Sequence, residues 1–65
     1  MDKQHPDYVT VTKSMRGWFA LIMTWDKNLE AYVPGPSDST TYKAEEPART
    51  WAKRWAAGKA LEYKQ

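Results

Sequence analysis

One stretch of the chain, from Trp18 to Trp25, predicts a β-strand whose two faces are both apolar. Residues 16–25 are rich in aromatic and branched side chains and lack proline, which favours a strand. Successive side chains of a strand point to opposite faces of the sheet. A strand with two apolar faces is normally buried on both, so the fold must supply two covers. The alternation assigns Trp18, Ala20, Ile22 and Thr24 to one face, and Phe19, Leu21, Met23 and Trp25 to the other.

The second apolar face needs a cover beyond the one helix that the sequence predicts, because one helix covers one face of a sheet. Three covers are open: residues 1–14 folding back, a second copy of the protein, or a different protein. At about 25 cal/mol per Å² of apolar surface, leaving several large side chains in water forgoes several kcal/mol. That loss is comparable with the whole stability of a small domain. The sequence therefore predicts a partner-binding surface at Phe19, Leu21, Met23 and Trp25, with Tyr32 alongside.

The residues after Trp25 predict a hairpin and then a short third strand. Residues 26–28 are turn formers, because Asp and Asn side chains hydrogen-bond to their own backbone. Residues 29–33 follow as the second strand of the hairpin. The proline- and glycine-rich residues 34–39 predict a loop that ends this strand. Residues 40–43 predict the third strand.

Residues 44–57 predict a helix with acidic side chains in its first turn, where the helix dipole favours them. Gly58 is expected to end the helix in a left-handed conformation. Residues 59–64 then predict a last strand. One stripe of the helix, formed by Ala48, Trp51, Ala52 and Trp55, is expected to pack on the sheet. The alternative is that this stripe faces a partner or stacks on nucleic-acid bases.

These elements together predict an α+β fold in the order βββαβ. We expect a three- to four-stranded antiparallel sheet with one helix on one face. Residues 15–65 form the single domain in this interpretation. Residues 1–14 form a tail, in which residues 8–12 are either a short strand or an extended arm.

The composition limits how a chain of 65 residues can be stabilised. There is no Cys, which excludes disulfides and thiolate metal sites, and the single His5 cannot build a zinc site unaided. Aromatic residues make up 14% of the chain, so aromatic packing, self-association or a bound partner must supply stability. No apolar run approaches the ~20 residues of a membrane span, and no apolar signal segment follows Met1. We therefore expect a soluble, cytoplasmic protein without cofactors or metals.

Enzyme chemistry finds little support in the sequence. There is no Cys nucleophile, no His in the predicted core, and no glycine-rich phosphate loop. Two carboxylate pairs, Asp26 with Glu30 and Glu45 with Glu46, are the remaining route to acid–base or metal chemistry. Both pairs are expected in exposed turn or helix-start positions, where they have ordinary structural roles. We therefore predict a protein that is not an enzyme and has no small-molecule substrate.

The basic charge is concentrated in the last third of the chain. Residues 43–65 carry six Lys or Arg and three Glu, a net charge of +3. This concentration of basic charge indicates either a solvent-exposed charged face of the helix, which is the usual case, or a site that binds phosphates or acidic groups. The residues of that alternative patch for nucleic acid or an acidic partner are Arg49, Lys53, Arg54 and Lys59.

Three groups of residues between positions 19 and 58 form a recognisable pattern: Trp25-Asp26, Glu30-Ala31-Tyr32-Val33-Pro34-Gly35-Pro36, and Thr41 with Ala44-Glu45-Glu46-Pro47-Ala48. With this pattern, residues 19–58 resemble the HicB-type antitoxin domain, which has a partial ribonuclease-H-like fold. In that family a two-stranded hairpin leads into a proline-rich stop, a third strand and a Thr…Glu-Glu-Ala helix start. The sequence has neither the Gly-Cys that usually follows the proline turn nor the appended DNA-binding segment of that family.

The sequence therefore favours a small non-enzymatic protein-binding or regulatory module, acting through the second apolar sheet face. The resemblance implies an antitoxin-like role, and small proteins of phages and mobile elements that mask a host protein are an analogy. A homodimer, another protein, or both are the expected partners. The alternative is a nucleic-acid-binding module that uses the basic helix face. A metal or enzyme site at the carboxylate pairs is the weakest hypothesis.

Overall fold

The computed structural model describes residues 5–64 and confirms the α+β fold with the order βββαβ. Residues 1–4 of the predicted tail and the terminal Gln65 lie outside the described residues. Three strands precede the helix in the sequence, and a two-residue strand follows it. The elements are β1 Tyr8–Ser14, β2 Gly17–Asp26, β3 Ala31–Ser37, α1 Glu45–Gly58 and β4 Glu62–Tyr63.

The four strands form one mixed sheet in the order β3-β2-β1-β4. β2 pairs antiparallel with both β1 and β3, as hairpin connections require. β4 pairs parallel with β1, Tyr8 opposite Glu62 and Val9 opposite Tyr63. The prediction of a purely antiparallel sheet is wrong at this last strand. The chain reaches β4 through α1, and a helical crossover brings it back in the direction in which β1 runs.

β3 extends through residues that were predicted to form the loop after it. β3 continues through Pro34, Gly35 and Pro36 to Ser37, so the predicted loop at 34–39 is wrong for residues 34–37 and holds only for 38–39. Proline is tolerated because β3 is an edge strand, where an N–H can be missing without breaking the ladder. The predicted strand at 40–43 is reduced to an isolated bridge between Trp18 and Tyr42.

The residue with left-handed backbone conformation at the end of α1 lies two residues after the last helical residue. The N–H of Leu61 donates to the Ala56 carbonyl at 2.8 Å, and the N–H of Ala60 donates to the Ala57 carbonyl at 3.2 Å. This pattern is a Schellman motif, whose left-handed residue is Ala60 with a φ of 56°. The prediction that Gly58 adopts that conformation is wrong, because Leu61 packs against the core and thereby sets where the motif falls.

The core lies between α1 and one face of the sheet. Ala52 and Ala56 of the helix pack against Val9, Ala20 and Ile22 of the strands. Alanines at i, i+4 and i+8 share one helix face, and their small side chains let the helix backbone approach the sheet. The buried helix residues are Ala48, Ala52 and Ala56, and the partly buried residues around this core are Val11, Trp55, Leu61 and Tyr63.

The predicted helix stripe is correct for three residues and wrong for Trp51. Trp55 is half-buried against the core, whereas Trp51 keeps 37% of its surface exposed. At 3.6 residues per turn, Trp51 lies about 100° around the helix from Ala52, which places it beside the contact line. Within residues 5–64, α1 is also too short and too polar to cross a bilayer.

Candidate functional site

The sheet face opposite α1 carries large side chains and no helix. Residues directly opposite each other in an antiparallel pair project from the same face. Thr12 pairs with Phe19, and Trp25 pairs with Tyr32, so both pairs lie on this side. We call this surface the open face. Its residues are Tyr8, Thr10, Thr12, Phe19, Leu21, Met23, Trp25 and Tyr32.

All five residues that the sequence assigned to partner binding lie on the open face. Leu21 is buried, with 6% of its surface exposed, while Phe19, Met23, Trp25 and Tyr32 are half-buried. Much of this apolar surface is therefore shielded from water, although α1 packs on the other side of the sheet. Their partner-binding role stays a prediction.

One corner of the open face is an aromatic cluster closed by the segment before β1. The His5 ring stacks on Trp25 with centroids 3.6 Å apart and an interplanar angle of 11°. Tyr32 meets Trp25 edge-on at 5.1 Å and Tyr8 edge-on at 4.8 Å. The Tyr32 hydroxyl donates a hydrogen bond of 2.9 Å to the Pro6 carbonyl. The segment before β1 thus covers the corner at Trp25 and Tyr32.

The corner shows how far the first 14 residues cover the second apolar face. Tyr8–Ser14 form β1 within the plane of the sheet, so they extend the face rather than cover it. His5 and Pro6 reach Trp25 and Tyr32 but make no contact of this kind with Phe19. The half of the open face around Phe19 and Thr12 is left without a described cover.

The four basic residues proposed from the sequence divide into two groups. Arg49 forms an ion pair of 2.6 Å with Glu45, and it lines a groove with Lys53 that also contains Glu46. The acidic side chains offset the positive charge there. Arg54 and Lys59 line a second groove that contains no carboxylate.

The second groove combines the two helix tryptophans with two cations, and we call it the tryptophan groove. It has a volume of about 430 Å³. The ammonium of Lys59 lies 5.7 Å from the centroid of the Trp55 ring, within range of a cation–π contact. Its lining residues are Trp51, Arg54, Trp55, Gly58 and Lys59.

Sequence reasoning did not bring these residues together into one groove, because it favoured a position against the sheet for Trp51. The signal was present in the repeat of Ala48 and Ala52, which continues to Ala56. Three alanines at helical spacing mark a close helix–sheet contact, and a bulky indole is displaced from it. Trp51 and Trp55 then project on one side of α1.

The two carboxylate pairs have structural partners. The Asp26 carboxylate accepts hydrogen bonds from the N–H groups of Asn28 at 2.8 Å and Leu29 at 3.2 Å, which stabilises the hairpin turn. Glu30 is an exposed turn residue with a φ of 50°. Glu45 holds Arg49 one helical turn later. Across residues 5–64, His, Asp and Glu side chains form no group of three or more that could hold a metal ion.

Comparison with protein-family models, with curated proteins and with solved structures found no match to this chain. The likeness to HicB-type antitoxins stays a prediction.

Proposed function

We propose that this chain is a small, non-enzymatic protein-binding module of the inhibitor or antitoxin kind, and that its binding surface is the open face. The observation that carries the proposal is the placement of α1 on the opposite side of the sheet. The helix leaves Phe19, Leu21, Met23, Trp25 and Tyr32 together on a face that no described helix covers.

The chemistry of the open face favours a protein partner over nucleic acid. Aromatic residues and Met are enriched in the centres of protein interfaces, and charged residues are depleted there. Along β1, β2 and β3 the open face fits this composition, since it includes Phe19, Met23 and Trp25 and no Lys, Arg, Asp or Glu. Charge enters only at the β4 edge, where Glu62 pairs with Tyr8 and the Lys64 ammonium lies 5.0 Å from the Tyr8 ring centroid. Tyr and Trp are also the residue types that most often dominate binding energy.

The size of the face sets the strength that we expect. The four strands hold 7, 10, 7 and 2 residues. At a rise of about 3.3 Å per residue and a spacing of about 4.8 Å, they give a planar area of roughly 410 Å². A standard stable interface buries about 800 Å² of accessible surface per partner. A contact through this face alone therefore lies at the small end of specific interfaces. We expect association that depends on protein concentration.

A second copy of the chain is the first partner to test. Size exclusion with light scattering measures the solution mass against the chain's 7.6 kDa. The informative variant is Thr12→Arg, because Thr12 is exposed on the open face beside Phe19. The substitution adds a charge without removing buried surface. Leu21→Asp is a poor choice, since Leu21 is 6% exposed and an Asp there would unfold the domain.

The matched control is Ala57→Arg, which adds the same charge at an exposed position of α1. We expect a mass of about twice the monomer for the parent and for Ala57→Arg, and the monomer mass for Thr12→Arg. A parent protein that stays monomeric at high concentration rules out the second copy. A photo-reactive residue at position 12 then tests for another protein, which must cross-link from position 12 and not from position 57.

A further inference from the structure

The tryptophan groove is a second surface, separated from the open face by the sheet. Trp51 and Trp55 lie four residues apart on one side of α1, with Arg54 between them in sequence and Lys59 after the helix end. A Cβ placed on Gly58 would contact no neighbouring side chain within 4 Å, so the groove is open beside Gly58. Its volume of about 430 Å³ is within the range of ligand-binding clefts.

The charge around the groove is positive and uncompensated. From Pro47 to Leu61 the sequence contains no Asp or Glu. Arg54 and Lys59 are exposed, and neither belongs to an ion pair within residues 5–64. The C-terminal end of a helix carries a partial charge of about −0.5, which is smaller than the two full positive charges. The groove therefore attracts an anion.

The indoles add a flat apolar surface beside these charges. Trp51 is 37% exposed, which is unusual for a residue that is normally well buried. Trp55 is held in place by the core on one side and by the Lys59 ammonium on the other. An acidic peptide would satisfy Arg54 and Lys59 but would leave the exposed indole without a planar partner. Duplex DNA keeps its bases stacked inside the helix, where Trp51 cannot reach them.

We propose that the tryptophan groove binds single-stranded nucleic acid. One base stacks on the exposed Trp51 indole, and the neighbouring phosphates contact the Arg54 guanidinium and the Lys59 ammonium. Aromatic stacking combined with cations along the backbone is the general way in which proteins hold single strands without reading their sequence. Arg49 and Lys53 take no part, because the groove that they line also holds Glu45 and Glu46.

The test uses the full chain and a fluorescein-labelled oligothymidylate of about 12 nucleotides, followed by anisotropy. With two phosphate contacts and a slope of about −0.7 per contact for single strands, log affinity falls with log salt with a slope of about −1.4. Binding is then about 7-fold weaker at roughly 200 mM salt than at roughly 50 mM. Arg54→Gln reduces the slope to about −0.7, because one contact remains. Arg16→Gln is the matched control, since it removes the same charge at an exposed turn outside the groove.

The stacking part of the proposal is tested at Trp51. We expect Trp51→Ala to weaken binding at least about 5-fold, and Trp51→Phe to keep most of the affinity because the ring is retained. Circular dichroism checks that each variant is folded, and Ala and Phe are both compatible with an exposed helix position. The proposal is overturned by any of three results: no oligothymidylate binding at low salt, unchanged binding by Trp51→Ala, or equal or tighter binding of a polyglutamate peptide of matched charge. The last result would assign the groove to an acidic protein segment.

Discussion

Moving one glycine along the chain should stabilise the protein, because the helix end has its glycine two residues too early. The perturbation is the double variant Gly58→Ala with Ala60→Gly. Ala60 holds the left-handed position of the Schellman motif with a φ of 56°. An L-residue in that conformation costs about 1–2 kcal/mol, and glycine avoids this cost while losing about 0.5–1 kcal/mol of chain entropy. We expect Ala60→Gly to contribute about 0.5–1 kcal/mol.

Gly58 gives the second part of the gain. It is the last residue of α1, its φ is not positive, and a Cβ there meets no atom within 4 Å. Replacing a helical glycine by alanine at a compatible position stabilises a protein by about 0.4–1 kcal/mol. The double variant should therefore gain about 1–2 kcal/mol. For a domain of this size that corresponds to a rise in Tm of roughly 7–15 °C.

The assay is thermal and urea unfolding followed by circular dichroism, on the parent, both single variants and the double variant. Measuring all four forms is needed because the two positions belong to one motif, and their effects need not add. Each single variant should be more stable than the parent. A double variant less stable than the parent would refute the assignment of Ala60 to the left-handed position of this helix end.

Two further predictions concern the ends of the sheet. Gly17→Ala should destabilise the fold by about 2–4 kcal/mol in urea unfolding. Gly17 has a φ of 133°, and a Cβ there would lie 2.5 Å from the Tyr42 carbonyl oxygen, which would break the bridge between Tyr42 and Trp18. A loss below about 0.5 kcal/mol would contradict this. His5→Ala should lower the free energy of unfolding by about 0.5–1.5 kcal/mol and change the tryptophan emission, because the His5 ring stacks on Trp25. Unchanged stability and emission would show that this stack does not form in solution.

The sequence predicted the elements whose signals are local. The β-strand around Trp18 to Trp25 follows from residue type and alternation, and the turn after it follows from the Asp26 side chain, which accepts the expected backbone hydrogen bonds. The division of β2 into two apolar faces also followed from alternation alone. The helix was predicted within one residue at each end, because acidic residues mark its start.

The features that were missed depend on which elements become neighbours. Pro34 and Pro36 end a strand by local rules, yet an edge strand tolerates them, and edge position is a property of the strand order. The parallel pairing of β4 likewise depends on where the end of α1 places the following residues relative to β1. Trp51 was misplaced because hydrophobic character alone does not tell whether a helix meets its sheet through small or large side chains.

The covering of the aromatic corner by His5 and Pro6 had no local signal either. It requires β1 to begin beside Trp25 and Tyr32, which is set by the register in which Tyr8 faces Met23. Pattern reasoning placed these residues in a tail. The open face could thus be located from the sequence, whereas the extent of its natural cover could not.

The strand order has a consequence for how the chain folds as it is synthesised. β1, β2 and β3 are neighbours in both sequence and space, so this three-stranded unit can form from local hairpins. β4 joins the far side of β1, which pairs Glu62 with Tyr8, near opposite ends of the sequence. A nascent chain that has not yet produced α1 and β4 presents the Val9 side of the sheet to solvent as well as the open face. For that interval it is a sheet with two apolar faces, the form in which self-association and chaperone binding compete most strongly with folding.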